Sequence, residues 1–192
     1  MNNVFELEVP INKYILHYPD LDTAEIYFKF RPFFENVKEG SVGVEVGVLE
    51  CNNAVHIFKY AKPKKLYLVD RFEKYHDVIG DLSVFNQEMW EDIYKTDVER
   101  MAPYNAEFIR KSSMEAVKQF NDESLDFVYL DDDHRKEYVV ANVNAWYPKI
   151  KKGGIIGGHD WTESEVKSGV LDWVTLNNYN LAYGFSDWWV IK

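Results

Sequence analysis

The rhythm of apolar and polar positions changes at residue 41. Before it, residues 22–38 read as one helix, with Tyr27, Phe30 and Phe34 recurring at helical intervals. Asp22 and Glu25 have the spacing of a capping box, with Asp in place of the usual Ser or Thr. After residue 41, short apolar runs alternate with helical spacing. The run VGVEVG, from Val42, is apolar but for one acid, as expected of a strand covered on both faces. Ala54, Ile57, Phe58 and Ala61 then predict a helix over 52–61. KLYLVD, Lys65–Asp70, is a second strand, Ala106–Ile109 a third, Leu125–Leu130 a fourth and Gly154–Gly157 a fifth. Helices are predicted near 113–120, along the stripe Val139, Val143, Trp146 and Ile150, with Pro148 bending or ending it, and over 164–178. Asn180–Phe185 and Trp188–Ile191 read as a closing hairpin. Strands alternating with helices predict a parallel sheet with helices on both faces, and the hairpin adds antiparallel strands. Residues 72–103 interrupt the rhythm. They are polar, aromatic and helical in spacing (Phe85, Met89, Trp90, Ile93), and read as either a lid or an added surface helix.

Composition narrows what such a chain can be. Its 192 residues suffice for one domain with a real core, and 46% of them are hydrophobic. Six Trp and thirteen Tyr are either core or pocket wall. The formal net charge of −10 argues against a general nucleic-acid binder, which needs a basic face. Two local basic runs remain, Lys62–Lys65 and Lys149–Lys152, where solvated loop lysines are ordinary. Cys51 is the single cysteine, so neither an intrachain disulfide nor a cysteine zinc cluster can form. The N-terminal MNNVFELEVP lacks a signal-peptide layout, and no run has the length of a membrane span. The expectation is a soluble, cytoplasmic protein.

Ligands of open α/β sheets sit outside the carboxyl ends of the strands. There this chain places Glu45, Gly47 and the turn VLECNN; then Asp70; then Ser112 and Ser113; then Asp131-Asp132-Asp133-His134; then Gly157, Gly158, His159, Asp160 and Trp161. Asp70 could accept both hydroxyls of a ribose, or cap a helix, or pair with Arg71. The turn after Gly47 has one glycine and carries Glu50, which disfavours a pyrophosphate and favours a ligand without phosphates. Three adjacent acids at a strand end are tolerable beside a cation or facing water. Asp131 is expected to face the site, with Asp132 and Asp133 capping the next helix.

Taken together, VEVGVLECNNA, KLYLVD and LDFVYLDDDHRKEYVVANVNAWYPKIKKGGIIGGHDW resemble the class I S-adenosylmethionine-dependent methyltransferases from about Ser41 onward. The last stretch is similar to the branch of sugar and small-molecule O-methyltransferases with Asp-x-Asp-His and Gly-Gly-x4-His-Asp motifs. The resemblance implies a Rossmann-like, doubly wound, mostly parallel seven-stranded sheet in a single domain, with residues 1–40 as an N-terminal helical extension. It implies S-adenosylmethionine as cofactor, with Glu45 and Gly47 at its methionine part, Asp70 at the ribose, and Ser113 with Ser112 and Met114 near the adenine. Asp131 lies beneath the reacting centre. In metal-dependent relatives, positions matching Asp131, His159 and Asp160 hold a divalent ion such as Mg or Mn. Two departures stand out: Cys51 occupies a position usually given to glycine, and His159 one where several relatives carry an acid.

The implied reaction is methyl transfer to an oxygen of a hydroxylated small molecule or sugar. His159 is the first candidate base and His134 the second. Trp161 and Trp90 could stack on a sugar. His17, His56 and His76 read as surface or packing residues. The alternative is a non-catalytic, nucleoside-binding module that keeps the fold. Neither the acceptor nor the oligomeric state is legible in the sequence.

Overall fold

Seven strands make one sheet in the computed structural model, which describes residues 31–73 and 85–192 and the backbone of Ile11–Asn12 and Ile15–Leu16. The strands are β1 (Val42–Val46), β2 (Lys65–Asp70), β3 (Ala106–Arg110), β4 (Leu125–Leu130), β5 (Ile150–Gly158), β6 (Leu181–Gly184) and β7 (Asp187–Ile191). Their spatial order is β3-β2-β1-β4-β5-β7-β6. The first five run parallel, while β7 lies antiparallel between β5 and β6. This is the expected doubly wound α/β architecture.

The crossovers are α1 (Asn52–Tyr60), α2 (Gln87–Met101), α3 (Ser113–Ala116) with a 3-10 turn at Val117–Gln119, α4 (Lys136–Trp146) and α5 (Ser164–Asn177). Period-two alternation divides the core between the two faces of the sheet. Val44, Val69, Val128 and Ile156 pack with Trp146 of α4 and Trp173 of α5. Leu66, Leu68, Phe127 and Tyr129 pack with Ile57 of α1, Trp90 and Ile93 of α2, and Phe33 and Phe34 of the 3-10 turn Pro32–Asn36. Among the described residues, no helix is long and apolar enough to cross a membrane.

Three expectations need adjustment. The helix predicted over 22–38 lies mostly outside the described residues, and its described end is the 3-10 turn. Ile150 belongs to β5, not to the helical stripe: α4 ends at Trp146, Tyr147–Lys149 form a 3-10 turn around Pro148, and Ile150 pairs with Leu125. That strand runs longer than predicted because the register against β4 shifts between Leu125 and Phe127. Finally, residues 87–101 are the ordinary crossover helix between β2 and β3, with Trp90, Ile93, Asp97 and Met101 buried. Residues 74–84 of the 72–103 stretch fall outside those described.

Candidate active site

The carboxyl ends of three strands continue their ladders by one residue. Gly47 N donates to Val69 O at 2.9 Å, Asp131 N to Val46 O at 2.7 Å, and His159 N to Leu130 O at 3.1 Å. Glu45 lies opposite both Leu68 and Tyr129, and Tyr129 opposite Gly157. Two residues further on, Asp70, Gly47, Asp131 and His159 therefore form the next row on the same face. Gly47 has φ +84°, and a Cβ there would stand 1.9 Å from the Asp131 carbonyl oxygen. Only glycine fits where the ends of β1 and β4 meet.

Asp70 organises the loop that follows β1. Its Oδ2 accepts from Val48 N at 3.0 Å and Leu49 N at 3.1 Å, and its Oδ1 from Phe72 N at 2.9 Å. That loop turns through left-handed backbone at two non-glycine residues, Leu49 (φ +49°) and Cys51 (φ +54°). Helix α2 holds this turn. The buried Cys51 thiol and the buried Asp97 carboxyl influence one another. Arg100 Nη1 donates to Glu50 O at 2.6 Å and Asn52 Oδ1 at 2.8 Å. Burial pushes the Cys51 thiol up, so it is inert, and raises Asp97 to about 8. The departure from glycine at position 51 is thus accommodated by contacts from a different element.

Glu45 is 1% exposed. Its Oε1 accepts from Asn53 Nδ2 at 2.9 Å, while its Oε2 has no hydrogen-bond partner. Burial raises it to about 8. Beside it, the Tyr129 hydroxyl donates to Asp187 Oδ1 at 2.8 Å, and Arg31 Nη1 lies 3.6 Å from the same oxygen. Burial raises Asp187 to about 6.

At the β4 and β5 ends, two imidazoles converge on one carboxylate. His134 Nε2 is 2.9 Å from Asp160 Oδ2, and His159 Nδ1 is 3.0 Å from Asp160 Oδ1 and 3.8 Å from Asp131 Oδ1. His159 Nε2 meets Ser186 Oγ, in the β6–β7 turn, at 2.8 Å. Asp160 is left-handed (φ +56°), which places its carboxylate between the two rings. Its hydrogen bond raises His134 to about 9. Burial, and then the Asp160 charge, push Asp131 up. Asp131, His134 and Asp160 border a cavity of about 20 Å³; Glu45 and Asp70, buried under the β1–α1 loop, do not.

Residues 44–161 match a methyltransferase-domain family over more than half of the chain. The chain belongs to this family. No curated protein sequence matches it. Solved structures similar to it include the O-methyltransferase NovP (TM-score 0.63, 15% identity, 88% of this chain and 79% of that one). An rRNA methylase from Streptococcus thermophilus is also similar (TM-score 0.56, 13% identity, 86% and 93%). So is a fibrillarin from Aeropyrum pernix with natively bound S-adenosyl-L-methionine (TM-score 0.53, 13% identity, 81% and 67%). Together with the strand order, these likenesses give the methyltransferase domain its class I fold.

Within this domain the sequence-predicted residues divide. Glu45, Gly47, Asp70, Asp131, His134, His159 and Asp160 gather along one margin of the sheet. Ser112, Ser113 and Met114 stand at the end of β3 and the start of α3, but Ser112 Oγ is bonded to Glu115 in a capping box. The Ser113 hydroxyl donates to Asn142 Oδ1 at 2.5 Å and accepts from Trp146 Nε1 at 2.8 Å. Of the three, Met114 alone offers an exposed side chain. Asp133 accepts from the Arg135 amide at 3.0 Å, but Arg135 is itself the N-cap residue of α4 and makes no side-chain cap, so the expected cap by Asp133 is not made. Asp132 does not cap: it accepts from Asn142 Nδ2 at 3.0 Å and burial raises it to about 6. Trp90 and Trp161 are core residues, packed on Phe85 and Tyr183, and neither is a free stacking platform. His56 is buried, in keeping with a packing role; His17 and His76 lie outside the described residues. The sequence reading missed Arg31, Asp97, Ser186 and Asp187, which reach the site from other elements and follow no local pattern.

Proposed function

We propose that this methyltransferase-domain protein transfers the methyl group of S-adenosylmethionine to an oxygen of a hydroxylated small molecule or sugar. The observation that carries this reading is the row of Asp70, Gly47, Asp131 and His159, with Glu45 behind it and the two-histidine, two-carboxylate cluster at its end. The β1–α1 loop and Glu45 take the methionine part. A carboxylate offers about four acceptor sites, so Asp70 can hold a ribose hydroxyl beside its loop amides. Ser112, Ser113 and Met114 mark the adenine end, with contact from backbone and Met114 rather than the Ser113 hydroxyl.

In the reaction, the acceptor oxygen attacks the methyl carbon, the carbon–sulfur bond breaks with its electron pair going to sulfur, and the hydroxyl proton must leave. Both ring nitrogens of His159 are engaged, which favours His134 as the base. Asp160 takes the Nε2 hydrogen of His134, and its Nδ1 has no hydrogen-bond partner among the described residues. A neighbouring sulfonium cation would lower the raised pKa of His134 and free it to accept the proton. His134→Ala is expected to lower kcat about 100-fold or more, with affinity for S-adenosylhomocysteine within about twofold. An unchanged kcat would return the role to His159.

Metal-dependent members of the resembled branch use a divalent ion, and the donors here would fit one. Asp131, His159 and Asp160 would hold it, with His159 Nε2–H donating to Ser186 and Nδ1 exchanging its present contact with Asp160 for the ion. Asp131, His134 and Asp160 likewise have ligand atoms within 4.8 Å of one another. An imidazole in the set favours Mn over Mg. When bound, the ion lowers the pKa of the acceptor hydroxyl. Exhaustive chelation should therefore slow turnover, and Mn should restore it; full activity in excess chelator would remove the ion from the mechanism. The reading as a whole is tested by incubating the protein with methyl-labelled S-adenosylmethionine and panels of sugars and catechols. Binding of S-adenosylhomocysteine with no transfer to any acceptor would instead favour a non-catalytic module.

A further inference from the structure

We infer that the protein carries a second ligand site, at the amino end of the sheet, for a small organic acid: one carboxylate on a compact apolar body. The site lies at the opposite end of the strands from the row of Asp70, Gly47, Asp131 and His159, and it does not depend on the cofactor reading. Here the fold holds a cavity of about 280 Å³. One water needs roughly 10–15 Å³, so the space suits an organic molecule.

Two irregular stretches of chain wall it. Between Leu125 and Phe127, β4 advances by two positions while β5 advances by five, from Ile150 to Ile155. The surplus residues Lys151–Gly154 bulge out and form one wall. Residues 36–41, which lead from the 3-10 turn into β1, form the other. Phe127 and Ile155, opposite one another in the sheet, and Val37 supply an apolar lining. The two basic runs of the sequence meet at this rim. Gly40 N donates to Lys62 O at 3.0 Å and Lys64 N to Ser41 O at 2.7 Å, while Lys151 and Lys152 come from the other run.

The polar groups of the lining divide into engaged and unengaged. Asp126 accepts from Val42 N at 2.8 Å and from Lys151 Nζ at 2.7 Å. Glu39, exposed, lies 3.9 Å from Lys62 Nζ. Lys38 and Lys152 make no ion pair among the described residues. Ser41 lines the cavity, is 6% exposed, and its hydroxyl has no hydrogen-bond partner. A buried donor left unpaired is costly, and a ligand acceptor placed against it removes that cost. Two unpaired ammonium groups and one unpaired hydroxyl beside an apolar wall match a carboxylate with an apolar body.

Benzoate, benzamide and inorganic phosphate are the probes, titrated into the full chain and followed by proton–nitrogen correlation NMR. Benzoate should move the amides of Ser41, Phe127 and Gly154 saturably and leave those of Gly47 and Asp131 in place. It should bind at least about 10-fold more tightly than benzamide or phosphate. Lys38→Gln with Lys152→Gln should weaken benzoate by about 10-fold or more, and a control pair outside the cavity lining, Lys95→Gln with Lys118→Gln, by less than about twofold. Ser41→Ala should weaken benzoate about fivefold without lowering the thermal midpoint, because it removes an unpaired donor. Equal affinity for benzoate and benzamide overturns the carboxylate assignment, and phosphate binding as tightly as benzoate overturns the apolar one. Shifts confined to Gly47 and Asp131, or equal losses in the two double variants, overturn the site. So does a Ser41→Ala variant that loses stability and keeps its benzoate affinity, which would mark a hydroxyl paired within the fold.

Discussion

A methyl group at position 47 has nowhere to go, because the Asp131 carbonyl occupies its place and the backbone is left-handed. Gly47→Ala should therefore cost about 2 kcal/mol or more in a denaturant titration and remove detectable S-adenosylhomocysteine binding, since relief of the clash requires β1 and β4 to part at the cofactor loop. An alanine variant with wild-type affinity would show that this margin is not where the cofactor lies. Asp97 makes a different kind of prediction. It is 2% exposed, its Oδ2 is unpartnered, and burial raises it to about 8. The folded state thus retains a proton that the unfolded chain has lost above the ordinary carboxylate range. Its contribution is fully present below pH 4 and disappears as the pH rises through about 8. Asp97→Asn should flatten the fall in stability between pH 5 and pH 8 by about 1 kcal/mol per pH unit. Parallel wild-type and variant curves over that range would mean that Asp97 is ionised in the folded protein. His56 works in the opposite sense: burial lowers it to about 4, so the stability it contributes is lost as pH falls from 6.5.

At the scale of elements, the β1–α1 loop is built jointly by its own sequence and by α2. A loop with two non-glycine left-handed residues needs support, which Arg100 supplies through Glu50 O and Asn52 Oδ1. Charge-assisted bonds of this kind are worth about 1.5–3 kcal/mol. Arg100→Ala is expected to lose stability in that range and to weaken S-adenosylhomocysteine binding several-fold, read by calorimetry, although Arg100 is not proposed to touch the ligand. Unchanged affinity would mean that the loop holds its shape unaided. The same division explains what could be read from the sequence. KLYLVD and LDFVYL were legible to the residue because strands covered on both faces leave an unbroken apolar run bounded by polar chemistry. Gly47 and Asp131 were legible because they end such strands. Ile150 was not, because an apolar residue after a short turn fits a helical stripe and a strand start equally well, and only the bulge against Leu125 decides between them. Asp132 looked like a cap because acids before a helix usually are; its partner Asn142 sits two turns into α4, a pairing visible only once the helix is packed. Arg31, Asp97, Ser186 and Asp187 are single residues that reach the site over long sequence separations, where no periodicity points to them.

For the whole molecule, the open matter is what reaches this margin. The fold is shared with an O-methyltransferase and with an rRNA methylase, so architecture alone does not choose between acceptors. Charge does. A surface of net charge −10 repels a polyanion. Among the described residues, the cations at the site pair with its acids: Arg31 with Asp187, His134 with Asp160, and His159 with Asp131 and Asp160. An RNA acceptor would have to overcome this field at every phosphate, whereas a neutral polyol meets the carboxylates as hydrogen-bond acceptors. Ribosomal RNA is therefore expected neither to bind in a filter assay at about 0.15 M salt nor to receive label from S-adenosylmethionine. The label should instead appear in the low-molecular-mass fraction of a metabolite extract, and transfer to a neutral sugar or catechol should change little with ionic strength. Labelling of RNA with a steep inverse dependence on salt would reverse the assignment, because that slope counts phosphates in contact.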